Sequence, residues 1–362
     1  GAVEAHIHET LSYKLLGRDP LRIEAIARDL VSLPMAQSST GVEYRAASAI
    51  DIALWDIFGK VCGQPVHQML GGLCRDRLRI YNTCAGYRYV RNRGQAVANW
   101  GVADGEAEGP YEDLDAFMHR ADELAESLLD QGITGMKIWP FDPFAEASGG
   151  MHISDADLET ALEPFRRIRA AVGNRMEIMV ELHSLWNLPT AMRIASALRP
   201  YDPAWFEDPI KADNIDALAQ FAAATDVPTV ASETLAGRTS FREVLEKRAA
   251  RIIMLDLSWV GGLTEAKKIA SMAEAYHLPV APHDCTGPVV LTASTHLSVN
   301  APNAMIQETV RAFYSGWYRE LVTALPAIER GRISPPPGAG LGTELLPEVL
   351  ERPDVTIQCS EL

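Results

Sequence analysis

Basic residues are scarce in this 362-residue sequence: 33 Lys and Arg face 48 Asp and Glu, for a formal net charge of −15. That balance argues against a nucleic-acid surface or an anionic membrane as partner. It leaves anionic substrates open, because a bound metal or a few local lysines reverse the sign inside a cleft. Cysteine is sparse too. Cys62, Cys74, Cys84, Cys285 and Cys359 are scattered, odd in number and without CxxC spacing, which fits neither a disulfide framework nor a zinc site and suits a reducing compartment. No apolar run approaches the ~18 residues of a membrane span. The opening GAVEAHIHETLSYKLLG has neither the basic nor the apolar region of a signal peptide. The expected location is the cytoplasm. A GxGxxG turn, the usual mark of an open dinucleotide-binding sheet, is also missing.

What is present is a regular alternation. Residues 20–72 carry apolar positions at three- and four-residue spacing, the pattern of helices, and end at Gly71-Gly72. From about residue 78 short apolar runs take over: LRIYNTCA, GMKIW, MEIMVEL, AWFED, PTVASE, RIIMLDLS, PVAPHD and AMIQET. Amphipathic stretches such as DADLETALEPFRRIRAAVG separate them. Eight such strand–helix units predict an α/β fold of the (β/α)8 type, whose usual length is ~250 residues. The PPPGAGLGTELLP stretch beyond residue 325 reads as an irregular tail returning to the N-terminal region. Residues 86–113, rich in Gly, Tyr and charge, form a long connection after the first strand and are expected to wall or cover a substrate.

Acids recur at the strand ends. Glu181, Glu207 and Glu233 are each 26 residues apart, one β/α unit, so strands three, four and five bring them to one mouth. Three converging carboxylates repel one another, and a hard divalent cation such as Mg²⁺ relieves that repulsion. In PAWFEDP the acid of interest is therefore Glu207, with Asp208 and Pro209 turning the chain away. Asp256 and His283 end the sixth and seventh strands; an Asp–His pair fixes one imidazole tautomer and raises its basicity, as a general base requires. Lys137 ends the second strand and Glu308 the eighth. His183, two residues after Glu181, is expected on the same face by strand alternation, as an acid, a donor or a packing group.

This triplet, with AIDIALWDIFGKVCGQPVHQMLGG, LDLSWVGG and APHD, resembles the enolase superfamily and, within it, the mandelate racemase/muconate lactonizing group. The resemblance implies a barrel (76–324) with an α+β capping domain (1–75 with 325–362), the first capping strands and their specificity loop not represented in the sequence. It implies one Mg²⁺ on Glu181, Glu207 and Glu233 and abstraction of a proton α to a carboxylate, through an enediolate. His283 is then the base or acid oriented by Asp256, Lys137 the first lysine of a KxK motif, and Glu308 the acid at the substrate's carboxylate end. Trp139 occupies the second KxK position and Trp259 a position that is lysine in the racemase, which counts against simple racemisation.

Dehydration of an acid sugar is the expected reaction, with Tyr87 and Arg88 suited to a hydroxylated substrate. A sugar-acid cycloisomerase or epimerase would use the same residues on an acid sugar or its lactone. A barrel that only binds metal would be expected to lack the base or a ligand, and all of them are present. The resemblance also implies a homo-oligomer.

Overall fold

The structure, a computed structural model, describes residues 1–31, 40–89 and 109–361. The eight apolar runs form eight short strands: β1 Leu78–Thr83, β2 Gly135–Ile138, β3 Glu177–Glu181, β4 Trp205–Glu207, β5 Thr229–Ala231, β6 Ile252–Leu255, β7 Val280–Pro282 and β8 Gln307–Thr309. From β1 to β7 each pairs in parallel with the next, and β8 pairs with β1. The ring is completed where Val280 bridges Ala304 and the Met305 N–H donates to the Val280 carbonyl at 3.0 Å. Helices follow the strands, several started by side-chain caps. Ser154 accepts from the Asp157 N–H, Asn187 from Thr190 and Asn214 from Ala217, which satisfies donors the first turn leaves open.

Strand alternation sorts the barrel interior into two levels. Tyr81, Met179, Trp205, Val230, Met254, Ala281 and Ile306 pack together as an apolar plug, with Tyr81 and Trp205 edge to face at 5.1 Å. Gly135 belongs to this plug, because a Cβ there would press on Met179 Cε at 2.8 Å and Tyr81 Cβ at 3.0 Å. Two residues further along each strand, on the same face, come Thr83, Lys137, Glu181, Glu207, Asp256, His283 and Glu308. The polar mouth is thus the continuation of the plug toward the C-terminal strand ends. A larger apolar layer lies between strands and helices and contributes most of the hydrophobic burial.

The N-terminal region is helical, with Ile23–Val31 packed on Val42–Cys62. The longer helix caps the N-terminus of barrel helix Gly262–Ala275: Asp51 accepts from the Thr264 N–H at 3.0 Å and hydroxyl at 2.6 Å, and Ser48 from the Gly261 N–H at 2.9 Å. This contact explains the glycines of LDLSWVGG. A Cβ on Gly262, at φ +77, would lie 2.3 Å from Asp51 Oδ2.

The region beyond residue 325 corrects one expectation. The tail contains a hairpin, β9 Ala327–Glu329 and β10 Arg332–Ser334, turned through Arg330 and Gly331 at positive φ, and β10 pairs antiparallel with the start of β1. Three-residue strands carry too little periodicity to be seen among prolines and glycines. The tail does return to the N-terminal region, where the Leu341 N–H donates to Asp56 at 2.8 Å. The stretch 113–132 forms two helices, since Arg120 leaves helical geometry (φ −143, ψ 48) with no proline or glycine to mark the break. Most of the connection expected to wall the site, residues 90–108, lies outside the described residues.

Candidate active site

At the C-terminal strand ends lies a cavity of about 180 Å³, lined by Thr83, Tyr89, Lys137, Trp139, Glu181, His183, Glu233, Trp259, His283, Cys285 and Thr286. Glu181 and Glu207 are register partners on β3 and β4, and both are buried. Lys137 is their counter-charge: its Nζ lies 3.4 Å from Glu181 and 2.9 Å from Glu308 and bonds closely to Glu207. The Trp205 indole N–H donates to Glu207 Oε2 at 3.0 Å. Burial favours neutral lysine, but Glu207 and Glu308 outweigh it and raise the Lys137 pKa well above its ordinary value. Burial also works against ionised Glu181, yet His183 and Lys137 hold its carboxyl down at about 2. Glu207 moves the other way, raised by burial and by the charge of Glu181. Two close carboxylates cannot both ionise cheaply without a cation between them.

Glu233 reaches the cavity by another route. β5 ends at Ala231, and alternation would have offered Ser232, whose hydroxyl instead donates to Asp208 at 2.7 Å. Glu233 Oε2 is inaccessible to solvent and has no hydrogen-bond partner, and the same holds for Oδ1 of Asp208. Asp208 is accordingly more than a turning residue: it is a buried acid at φ 40, raised by burial and by Glu233. Orphaned oxygens among clustered carboxylates are the donor chemistry a hard divalent cation satisfies.

Two histidine–aspartate pairs face the cavity. His283 Nδ1 donates to Asp256 at 2.7 Å, and Asp256 also accepts from the Ser258 N–H and hydroxyl and from Thr286. The ring is held with Nε2 inward, 3.9 Å from Glu308 Oε2. Burial opposes its protonation, but Glu308 and the Asp256 bond raise its pKa well above the ordinary value. Trp259 covers it at 5.7 Å, itself stacked under Arg45 at 4.3 Å.

His183 is the second. Its Nδ1 donates to buried Asp142 at 2.6 Å, and its Nε2 lies 3.3 Å from the Tyr89 hydroxyl. Burial lowers its pKa, but Asp142 and Glu181 raise it to about 9. It shares a face with Glu181 not through alternation, since β3 has ended, but through a turn at φ 47 whose N–H donates to Glu181 at 2.7 Å. β3 and β7 are four strands apart in a ring of eight, so the two pairs stand across the mouth from one another.

Among the substrate contacts expected, Trp139 and Trp259 line the cavity, Trp139 edge-on to His183 at 5.5 Å. Tyr87 and Arg88 are not among the lining residues; the Tyr87 ring packs on the backbone of Gly109 and Gly316, and Tyr89 supplies the hydroxyl at the cavity. Glu308 receives the Asp284 N–H at 3.1 Å and the Thr83 hydroxyl. Asp142, Tyr89 and Thr83 were not singled out from sequence, Asp208 was read only as a turning residue, and Cys285 only as one of five scattered cysteines. Asp142 follows a strand end by four residues and carries no motif. Cys285, two residues after His283, was the most visible of them.

The chain was compared with known proteins. Residues 1–71 match the family model of the mandelate racemase/muconate lactonizing enzyme N-terminal domain, and residues 120–349 that of the enolase C-terminal domain-like family. The D-galactonate dehydratase of Ralstonia nicotianae is 34% identical over 95% of this chain and 82% of that protein. The D-galactonate dehydratase of Pectobacterium atrosepticum is 32% identical over 97% and 84%. Among solved structures, a mandelate racemase-subgroup enolase from Agrobacterium tumefaciens is 53% identical with a TM-score of 0.84, covering 97% of this chain and 86% of that one. An enolase from Sargasso Sea environmental sequence is 45% identical with a TM-score of 0.85, covering 98% and 86%.

Proposed function

Because this chain belongs to the mandelate racemase/muconate lactonizing enzyme group of the enolase superfamily, we propose that it is a Mg²⁺-dependent dehydratase acting on an acid sugar. The observation that carries this reading is the pair of histidine–aspartate dyads across one carboxylate-lined cavity. It agrees with the D-galactonate dehydratases among its relatives.

Glu181, Glu207 and Glu233 would hold the Mg²⁺; the unpaired Oε2 of Glu233, beside the unpaired Oδ1 of Asp208, supports that assignment. When bound, the ion supplies positive charge to the substrate carboxylate as negative charge grows there. The other roles fall to the protein. His283 Nε2, kept inward by Asp256, takes the proton α to the carboxylate. The electron pair released from that C–H bond moves toward the carboxylate, then returns as the β C–O bond breaks. His183 Nε2, oriented by Asp142, gives its proton to the departing hydroxyl, and water leaves. The enol that remains takes up a proton at carbon 3 and becomes a 2-keto-3-deoxy acid. Lys137 keeps fixed positive charge beside Glu207 and Glu308, and Trp139 and Trp259 form apolar walls that exclude water.

No described helix is long and apolar enough to cross a membrane, and all five cysteines are free, as a cytoplasmic protein would have them. Self-association is the expected partnership.

The test is proton NMR of the protein with Mg²⁺ in D₂O, over galactonate, its epimers and their lactones. A 2-keto-3-deoxy product is expected from at least one. A ring-opened, ring-closed or epimerised product with no loss of water would overturn dehydration in favour of the isomerase alternative.

A further inference from the structure

The cavity holds two donor sets of different character. On β3, β4 and β5 the donors are all carboxylate oxygens. On β7 and β8 they are mixed: among the described residues, His283, Cys285 and Glu308 are the trio whose nitrogen, sulfur and oxygen lie within 4.8 Å of one another. From this trio we propose a second metal site, one that takes Zn²⁺ and closes the active site by occupying His283. The proposal rests on the reading of His283 as the base.

The geometry suits the ion. Zinc binds histidine nitrogen and carboxylate oxygen at about 2.0–2.2 Å and thiolate at about 2.3 Å, so tetrahedral ligands lie roughly 3.3–3.7 Å apart. His283 Nε2 and Glu308 Oε2 stand at 3.9 Å, a few tenths of an ångström from that edge. The remaining interactions free the right atoms. Asp256 occupies His283 Nδ1, forming the carboxylate–histidine arrangement that orients metal-binding imidazoles and strengthens them as donors. Lys137 and Thr83 engage Glu308 Oε1, leaving Oε2 toward His283 with the Asp284 N–H. Cys285 lines the cavity, so a fourth, open position faces the substrate space.

Ligand softness separates the two sites. Mg²⁺ takes oxygen donors, whereas thiolate and imidazole select Zn²⁺ and its neighbours. Burial pushes the Cys285 thiol up to about 12, so the ion must displace that proton on binding, as it does from coordinating thiols generally. A zinc-bound Nε2 has no lone pair left for the substrate's α-proton. Cys285 thereby gives the enzyme a sensitivity to free zinc that its Mg²⁺ requirement alone would not produce.

The experiment uses the Mg²⁺-saturated protein with two probes, CoCl₂ for spectroscopy and ZnCl₂ for calorimetry and inhibition. We expect a thiolate-to-cobalt charge-transfer band, one Zn²⁺ bound per chain, and turnover lost in proportion to Zn²⁺ bound. In Cys285→Ser the band disappears. Half-inhibition by Zn²⁺, measured against that variant's own zinc-free rate, rises by at least about tenfold, the lower end of the change that even outer-shell partners make in metal affinity. The absence of the band, or inhibition that is equal in Cys285→Ser, would overturn the proposal, the latter placing Zn²⁺ on the acidic triplet. Band and zinc binding in a protein that dehydrates no acid sugar would uphold the site and defeat the dehydratase reading instead.

Discussion

His183 and His283 at the barrel mouth differ instructively from His67 and His296 on its flank. All belong to close pairs, but the partners differ. At the mouth each ring donates to a buried aspartate, and the histidine pKa rises although burial works against it. On the flank His296 stacks on His67 at 5.2 Å, with Nδ1 atoms 3.1 Å apart and Nε2 on the Leu341 carbonyl. Burial there outweighs the Leu341 carbonyl and the more weakly acting Asp56, and the His296 pKa falls to about 4. Burial pushes all three down, and the sign turns on whether neighbouring carboxylates outweigh it. The raised basicity of the two mouth histidines is therefore owed to their acidic neighbours, Asp142 and Glu181 for one and Glu308 and Asp256 for the other.

Breaking the mouth pairs should have the largest consequences. His283→Asn is expected to abolish both turnover and α-proton exchange with solvent, a loss of roughly 10²–10⁴-fold or more, while calorimetric Mg²⁺ affinity persists. Unchanged turnover would remove His283 from its role. Asp142→Asn is expected to slow dehydration roughly 10²-fold, less than loss of the base, and to leave α-deuterium exchange in D₂O near the parent rate. Equal loss of both would mean that Asp142 supports the whole site and not one dyad. Glu207→Gln tests the acids between the pairs: Mg²⁺ affinity should weaken by roughly 10–100-fold in calorimetry, and unaltered affinity would dissolve the ligand triplet.

The flank gives the smallest effect. With a folded pKa near 4 against an ordinary 6.5 for His296, the unfolded chain takes up the proton first as pH falls. Stability from this residue is intact above pH 6.5 and is lost progressively between 6.5 and 4, by roughly 3 kcal/mol at most. The difference in melting temperature between the parent and His296→Gln should shrink across that window. A constant difference would mean that His296 is not what titrates.

Legibility in the sequence followed periodicity. Eight strands and most helices were readable because each repeats an apolar pattern, and alternation carried Lys137, Glu181, Glu207, Asp256, His283 and Glu308 from the plug to the mouth. Glu233 was found by its 26-residue spacing although alternation points to Ser232, because β5 ends early. Asp142 and Tyr89 lie beyond strand ends in turns, where no period acts, and only the folded chain brings them to His183. Cys285 and Glu308 are likewise joined by adjacent strands and not by CxxC-type spacing. The hairpin β9–β10 was hidden by its brevity.

The central claim is that the two dyads divide the reaction, His283 taking the α-proton and His183 releasing the hydroxyl. Its most direct test is His183→Asn with Mg²⁺ and the working substrate in D₂O, followed by proton NMR. The account predicts deuterium entering the α position without formation of the 2-keto-3-deoxy acid. Dehydration at the parent rate, or loss of exchange together with dehydration while Mg²⁺ still binds, would contradict it.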